Sequence, residues 1–294
     1  AIPSSATNIM KNPIAQTKSR YGTFVHFQND DPIGSCLYYY GEWAQQEMDL
    51  FDQILTQQSN VIDVGANIGT HTVYFSSKCN QGTIVAIEPQ IYIFEMLATN
   101  ILVNGCYNTI PIHAGVSDKA GKANLTNINP FSEQQKVNYG EYKVQLDSEN
   151  GLETNIIVLD QFINMPKFNL LKIDVEGLEV SVLNGAKKLI KQHRPFLYLE
   201  FNNKDGNDQL LEKIYQLGYI PFWHVYTKFN PQNFNGKQDN IWEPENFIIE
   251  KDTLDRRYEG NAICIPKEMQ LPTNLKQIEI GDNLTKFLFE NNLL

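Results

Sequence analysis

A short apolar strand pattern breaks into a glycine turn at residues 60 to 69, which read Asn-Val-Ile-Asp-Val-Gly-Ala-Asn-Ile-Gly. Gly65 and Gly69 allow backbone torsions and a close ligand approach that a Cβ atom would block. A strand, a loop and a helix are predicted in that order, with the loop holding a cofactor. The spacing is G-x-x-x-G and not the G-x-G-x-x-G that seats a dinucleotide pyrophosphate, so the ligand need not carry phosphate.

A second buried-strand pattern, Thr83 to Glu88, ends in a carboxylate and is followed by Pro89. In open α/β sheets, the carboxyl ends of the strands form the ligand crevice, where an acid can accept hydrogen bonds from two ribose hydroxyls. The alternative is that Glu88 only favours the N-terminal dipole of the next helix. A ligand with a ribose and no required phosphate contact fits S-adenosylmethionine best.

These motifs resemble those of the class I S-adenosylmethionine-dependent methyltransferases, and within them the FkbM family. The resemblance covers about residues 37 to 220. It implies a doubly wound α/β fold, with a mostly parallel, seven-stranded, Rossmann-like sheet whose last strand is antiparallel, and it implies O-methylation of a hydroxyl with S-adenosylmethionine as cofactor. The matching segments are Asp63–Gly69, Glu88-Pro89, Gly115–Asp118, Lys172–Glu179, Val182–Ala186 and Glu200.

In such a fold the glycine turn would hold the methionine portion of the cofactor, and Glu88 would fix the ribose. Ser117 and Asp118 follow the third strand, where they would meet the adenine, although a Ser-Asp pair is equally common in a turn. Glu47 could reach the ligand's amino group from a preceding helix. The predicted cofactor-binding residues are Glu47, Asp63, Gly65, Asn67, Gly69, Glu88, Ser117, Asp118 and Asp174.

Methyl transfer to an alcohol requires aligned reactants and a group that receives the alcohol proton. Asp174 closes the fourth strand beside the crevice, where a carboxylate can stabilise a sulfonium or take that proton. The alternative for Glu176 and Glu179 is that one of the two only favours the first turn of the following helix. In order of preference, the predicted catalytic residues are Asp174, Glu176, Glu200 and His224.

His224 is the last of the catalytic candidates, and neither His71, His113 nor a metal ion is expected to take part in catalysis. His224 has a suitable unperturbed pKa, yet a lone histidine at a strand end is more often a satisfied structural group. His71 and His113 are expected to be structural. No spacing of acids and amides requires a magnesium site, so no metal is predicted.

Composition limits the class of protein and of partner. The chain has 294 residues, of which 42% are hydrophobic and 20% charged, and this suits one large α/β domain with additions. A net charge of −10 argues against a nucleic-acid partner, because phosphate contact needs a clustered basic surface. The predicted partner is a small-molecule or carbohydrate acceptor, and the oligomeric state is left open.

The cellular compartment of the protein is predicted from its cysteines and its first residues. Four cysteines without metal-type spacing are typical of isolated thiols in a reducing compartment. No apolar run is long enough to span a bilayer, and the first residues lack a charged region followed by an apolar core. A cytoplasmic location is therefore predicted.

Residues 1–40 are predicted as an N-terminal arm and hairpin, and residues 41–294 as the methyltransferase domain. In the first part, residues 1–20 would form a loose arm, and 23–28 and 35–40 would pair as strands. A helix and then an alternation of strands and helices should follow. These elements are helix 42–55, strand 60–64, helix 69–77, strand 83–88, helix 89–105, strand 109–116, strand 170–174, helix 177–192 with a break at Gly185, strand 196–201, helix 207–217, and strands 219–224 and 261–265.

Two segments interrupt the alternation. Residues 120–160 lose the helical period and are predicted to contain short antiparallel strands. Residues 225–260 are too long for a plain connection and too aromatic for a flexible linker. This second segment is either a lid or substrate wall, or a satellite cluster packed on the flank of the domain.

Two other functions compete with methyl transfer at this stage. A NAD-dependent oxidoreductase could use the same sheet and acidic strand end, although the missing G-x-G-x-x-G counts against it. A non-catalytic S-adenosylmethionine-binding module, with the aromatic segment holding a protein partner, is the third hypothesis. Ligand-induced stabilisation and turnover would separate the three.

Overall fold

The computed structural model describes residues 13–125, 130, 136–141, 144–145, 151–201, 207–243, 257–269 and 274–291. The strands in these residues are β1 (Ile14–Ser19), β2 (Gly22–Phe27), β3 (Val61–Val64), β4 (Ile84–Glu88), β5 (Thr109–His113), β6 (Gly115–Val116), β7 (Gly121–Leu125), β8 (Val144–Gln145), β9 (Leu152–Ile157), β10 (Leu170–Ile173), β11 (Phe196–Glu200), β12 (Tyr219–Thr227) and β13 (Tyr258–Pro266). The α-helices are α1 (Ile33–Tyr40), α2 (Gln45–Ile54), α3 (Thr70–Lys78), α4 (Ile91–Val103), α5 (Leu159–Phe162), α6 (Glu179–Gly185), α7 (Lys187–His193), α8 (Asp208–Gln216) and α9 (Leu284–Glu290).

Seven strands form the central sheet in the order β12-β13-β11-β10-β3-β4-β5. The neighbours from β11 through β10, β3 and β4 to β5 are parallel, whereas β13 runs antiparallel to both β11 and β12. Every residue of β3, β4 and β10 is buried, as expected for parallel strands covered on both faces. The predicted fold class is confirmed, including the antiparallel last strand.

Helices cover both faces of the sheet, which makes it doubly wound. Ile62 and Leu171 point to one face and share a hydrophobic cluster with Leu183 of α6. Val61 points to the other face and shares a second cluster with Phe51 of α2. The alternation along β3 places Asp63 on the same face as Val61, beneath α2 and α3.

The predicted N-terminal hairpin is misplaced. Residues 35–40, expected as its second strand, form most of α1, and the hairpin pairs β1 with β2 instead. Consecutive aromatic residues favoured a strand, but the buried positions Cys36, Leu37 and Tyr40 follow a helical interval. Residues 14–19, expected in a loose arm, are β1.

The predicted third strand, 109–116, is divided in two. β5 belongs to the central sheet, while β6 pairs with β9 in a separate four-stranded sheet of order β6-β9-β7-β8. β7 is antiparallel to both β8 and β9, so the expected antiparallel character of residues 120–160 is confirmed for the described strands.

The described part of the aromatic segment extends two strands and forms a satellite cluster, and its role as a lid or substrate wall stays a prediction. Its first and last residues extend β12 to Thr227 and begin β13 at Tyr258, so the two strands project together past the sheet edge. Between them, Trp242 is buried against Cys36 and Tyr40 as a satellite cluster. Residues 244–256, including Phe247, lie outside the described part.

Candidate active site

A cleft of about 470 Å³ opens at the carboxyl ends of the central strands. One wall is formed by the loops after β3 and β4 and by the start of β6, and includes Gly65, Glu88 and Gly115. The other wall includes Asp174 after β10 and Tyr226 on β12. This is the edge at which ligands bind in open α/β sheets.

The glycine turn after β3 has the backbone that its sequence requires. Gly65 and Gly69 have φ of 77° and 90°, in the left-handed region, and Asn67 between them has φ of 50°. A Cβ atom on Gly65 would lie 1.8 Å from the backbone oxygen of Asp174. The turn therefore packs directly on the end of β10, and only glycine permits this contact.

Glu88 is buried at the end of β4 and is held by backbone donors. The N–H groups of Asn67 and Gln90 donate to its two oxygens at 3.0 Å and 2.9 Å. Burial raises the pKa of Glu88 to about 7, although these two hydrogen bonds oppose the rise. Each carboxylate oxygen can accept a second hydrogen bond, and the contact of Glu88 with a ribose stays a prediction.

Lys172 on β10 lies between two aspartates. Its Nζ is 3.0 Å from Asp174 Oδ2 and 3.6 Å from Asp63 Oδ1. Asp63 is fully buried, and its other oxygen accepts a hydrogen bond from the Thr72 hydroxyl at 2.7 Å. Burial opposes the charge of Lys172, but the carboxylates of Asp174, Asp63 and Glu47 outweigh this effect and raise its pKa.

Glu47 in the first turn of α2 is the centre of a buried polar network. Its Oε2 lies 2.6 Å from His71 Nε2, and its Oε1 accepts hydrogen bonds from the Tyr226 hydroxyl and, at 2.8 Å, from Asn261 Nδ2. Burial would raise the pKa of Glu47, but His71, Lys172 and the Tyr226 hydrogen bond lower it to about 2. Its direct partners here are protein groups on α3, β12 and β13.

Among the predicted catalytic residues, three reach the cleft and one does not. Asp174, Glu176 and Glu200 line it. His224 points away from it, because its Nδ1 pairs with the Tyr198 hydroxyl at 2.7 Å on the face of the sheet beneath α2. Burial lowers the pKa of His224, so its ring is neutral at neutral pH.

Some of the predicted cofactor-binding residues line the cleft and others do not. Those that line it are Glu47, Gly65, Asn67, Glu88 and Asp174.

Asp63 and Gly69 support the turn from behind, Asp63 through Lys172 and Gly69 as the residue before α3. Ser117 and Asp118 lie outside the described lining of the cleft. The Ser117 backbone oxygen packs against Gly185, and the Asp118 side chain is exposed. The cleft is instead lined by Ala114, Gly115 and Val116, since the chain turns into β6 there.

Sequence reasoning missed the polar residues that face the cleft from inside the core. Lys172 appeared only as part of a motif, and His71 was expected to be structural. A lysine within the apolar run of β10 was an available signal, because a buried lysine needs an acidic partner. Tyr226 and Asn261 carried no such signal, because their contact with Glu47 joins residues at least 179 positions apart.

No set of three or more His, Cys, Asp or Glu side chains in the described residues is arranged to hold a metal ion. Within the same part of the chain, no helix combines the length and apolar character needed to cross a membrane.

Relatives of known activity match this chain at moderate identity. The hexuronic acid methyltransferase AglP of Haloferax volcanii is 28% identical over 188 residues, covering 63% of this chain and 73% of AglP. Methyltransferase sdnD of Sordaria araneosa is 28% identical over 156 residues, covering 43% of this chain and 60% of that protein. The crystal structure of methyltransferase FkbM from Methylobacillus flagellatus KT aligns with a TM-score of 0.43 and 15% identity, over 71% of this chain and 44% of that one.

A family model settles the assignment. The model of the methyltransferase FkbM domain matches residues 63–221, more than half of the chain. The matched region runs from Asp63 of the glycine turn to the first residues of β12, and so contains Glu88, Lys172 and Asp174. The chain therefore belongs to the FkbM family of methyltransferases, whose cofactor is S-adenosylmethionine.

Proposed function

We propose that this methyltransferase acts on a hydroxyl oxygen of a sugar or a similar small polar molecule. The observation that carries the proposal is the composition of the cleft wall opposite the glycine turn. Tyr226, Tyr258, Asn261 and Glu200 line that wall. Aromatic faces can stack on sugar rings, and amide and carboxylate groups can hydrogen-bond to hydroxyls.

Two further observations support a sugar acceptor. AglP, a hexuronic acid methyltransferase by name, aligns with 63% of this chain. The formal charge of −10 disfavours RNA and DNA, which need a clustered basic surface.

The bound cofactor supplies an electrophilic methyl group on a cationic sulfur. Gly65 and Glu88 would hold it at the first wall, and the Asp174 carboxylate lies on the other wall, after β10. Asp174, with Lys172 beside it, would act there as a fixed negative charge that favours the cation. Glu176 and Glu200 would contact the acceptor.

A cytoplasmic location remains a prediction from the isolated cysteines.

The proposal is tested by measuring S-adenosylhomocysteine release from the purified chain with S-adenosylmethionine and a panel of hexoses, hexuronic acids, amino sugars and simple amines. We expect release with at least one alcohol and formation of a methyl ether, identified by mass spectrometry and NMR. Methylation of amines alone would overturn the oxygen assignment. Binding of S-adenosylmethionine without release from any acceptor would favour the binding module, and stabilisation by NAD alone would favour the oxidoreductase.

A further inference from the structure

His71 and Glu47 form a buried pair at the wall of the cleft that the proposed function leaves unused. The pair joins α3 to α2, with His71 Nε2 lying 2.6 Å from Glu47 Oε2. Both residues line the cleft, and their side chains are 7% and 6% exposed. Phe51 and Phe75 flank the imidazole, with ring centroids at 6.3 Å and 6.2 Å.

The charge on Glu47 determines the tautomer of His71. Glu47 has a pKa of about 2, so at neutral pH it is a carboxylate that can only accept hydrogen bonds. The His71 Nε2 atom must then carry the proton of their hydrogen bond. In the neutral ring this leaves a lone pair on Nδ1, and Nδ1 has no hydrogen-bond partner among the described residues.

We propose that His71 is the general base that takes the proton of the acceptor hydroxyl, with Glu47 as the residue that orients it. The inference rests on the proposed O-methylation. In the reaction, the acceptor oxygen forms a bond to the methyl carbon, and the electron pair of the broken carbon–sulfur bond stays on sulfur. The hydroxyl proton passes to His71 Nδ1, and the imidazolium that forms is stabilised by the ionised Glu47.

The surroundings of the pair support this division of roles. Asn261 and Tyr226 occupy the other oxygen of Glu47, which leaves Oε2 to His71. The charged and titratable groups that face the pair from neighbouring elements include Lys172 of β10, Tyr198 of β11, and His224 and Tyr226 of β12, with Asp63 and Asp174 behind Lys172. Asp174 is already paired with Lys172, whereas His71 Nδ1 has no hydrogen-bond partner among the described residues.

The decisive variant is His71→Gln, because the glutamine amide can still donate to Glu47 but cannot accept a proton. We expect kcat to fall by about 10²- to 10⁴-fold, the range for loss of a general base. The Kd of S-adenosylhomocysteine, measured by calorimetry, should stay within about twofold. The dependence of kcat on pH should also change in this variant, because it lacks the group that receives the proton. His193→Gln, on α7 and outside the lining of the cleft, is the matched control and should retain wild-type kcat.

A second measurement does not depend on turnover or on a variant that folds. Histidine ¹⁵N NMR of the wild-type chain should show the tautomer of His71 with the proton on Nε2. A proton on Nδ1, or an unchanged kcat and pH profile in His71→Gln, would overturn the inference. If the wild-type chain methylates no alcohol, the proposed function fails and the base assignment with it; if it does and His71→Gln keeps its kcat, only the base assignment fails.

Discussion

The Lys172 ammonium lies 3.0 Å from the Asp174 carboxylate, and this ion pair connects the interior of the central sheet to the cleft. The same ammonium lies 3.6 Å from the carboxylate of Asp63, which is fully buried. Lys172 thus joins the strand that carries the glycine turn to the residue at the end of β10. The arrangement makes one lysine responsible for the charge balance of two acids on neighbouring strands.

Replacing Lys172 with methionine should destabilise the fold, because Asp63 would remain as a buried carboxylate without a cation. We expect a loss of roughly 3–5 kcal/mol in the free energy of unfolding, measured by urea denaturation. Adding Asp63→Asn to Lys172→Met should recover part of that loss, because the neutral amide can still accept the Thr72 hydrogen bond. Equal stabilities of the single and double variants would contradict the role assigned to Lys172.

Alanine at Gly65 should be far more harmful than alanine at Gly177, although both glycines have similar torsions, with φ of 77° and 80°. A Cβ at Gly65 would meet the Asp174 backbone oxygen at 1.8 Å, whereas no atom lies within 4 Å at Gly177. Gly177→Ala should cost about 1–2 kcal/mol for the left-handed backbone alone. Gly65→Ala should cost more than this and abolish binding of S-adenosylhomocysteine in calorimetry. Similar effects of the two substitutions would show that the contact with Asp174 is unimportant.

The elements that carry the glycine turn were predictable because they are buried on both faces. β3, β4 and β10 have continuous apolar patterns that leave little alternative to a parallel strand. α1 was mistaken for a strand because its aromatic residues favour β structure locally, while its packing against Trp242 depends on a segment some 200 positions later. In α1, tertiary packing and not local propensity therefore determines the secondary structure.

The acidic residues of the site were easier to predict than their partners. Glu88 and Asp174 stand at strand ends, where the fold brings ligands, so their position in the sequence indicated the cleft. The pairing of His71 with Glu47 depends on how α2 is laid across α3, which no local pattern encodes. For the same reason the turn of the chain into β6, which removes Ser117 from the cleft lining, could not be predicted.

Cofactor affinity should rise with pH because of Glu88. Its carboxyl has a pKa of about 7 in the free protein, raised by burial. Ribose hydroxyls donate hydrogen bonds and therefore favour the ionised form, so binding at pH 6 must first remove a proton. Calorimetry should give a Kd of S-adenosylhomocysteine several-fold higher at pH 6 than at pH 8. In Glu88→Gln the affinity should be weaker and nearly flat over this range, and an equally steep pH dependence there would assign it to another group.

Stability should fall as the pH rises, because of Asp30 in the turn before α1. Burial raises the pKa of its carboxyl from 3.8 to about 7, although the Gly34 N–H hydrogen bond opposes the rise. The folded chain then holds a proton that the unfolded chain releases, so this contribution is complete below pH 4 and is lost as the pH rises to about 7. It amounts to roughly 4 kcal/mol at most.

Asp30→Asn should remove this dependence, since the amide oxygen can still accept from Gly34 and carries no charge. Urea denaturation should find the variant more stable than the wild-type chain at pH 8 and similar to it at pH 4. Asp118→Asn, at an exposed position, is the control and should leave both values unchanged. A variant that is less stable at pH 8 would show that Asp30 is ionised and needed there.

Lys228 should make the enzyme favour an acceptor with a negative charge. This lysine lines the cleft and pairs with Glu259 at 2.8 Å. The two side chains are 11% and 18% exposed, and the Lys228 Nζ lies 5.2 Å from the centre of the Trp242 ring. A sugar carboxylate in the cleft would share the ammonium with Glu259. Lys228→Gln should therefore raise the KM for a hexuronic acid by about tenfold, the effect of losing roughly 1.4 kcal/mol of binding free energy. The KM for a neutral hexose should stay unchanged.

Glu259→Gln should act in the opposite direction, because it releases the Lys228 ammonium to the acceptor and removes a negative charge from the wall. The KM for the hexuronic acid should fall, while that for a hexose stays unchanged. Lys122→Gln breaks an exposed 2.6 Å ion pair with Glu153 on the separate sheet, and should change neither value. If both cleft substitutions shift the KM of acidic and neutral sugars equally, the pair acts on the shape of the cleft and not on the charge of the acceptor.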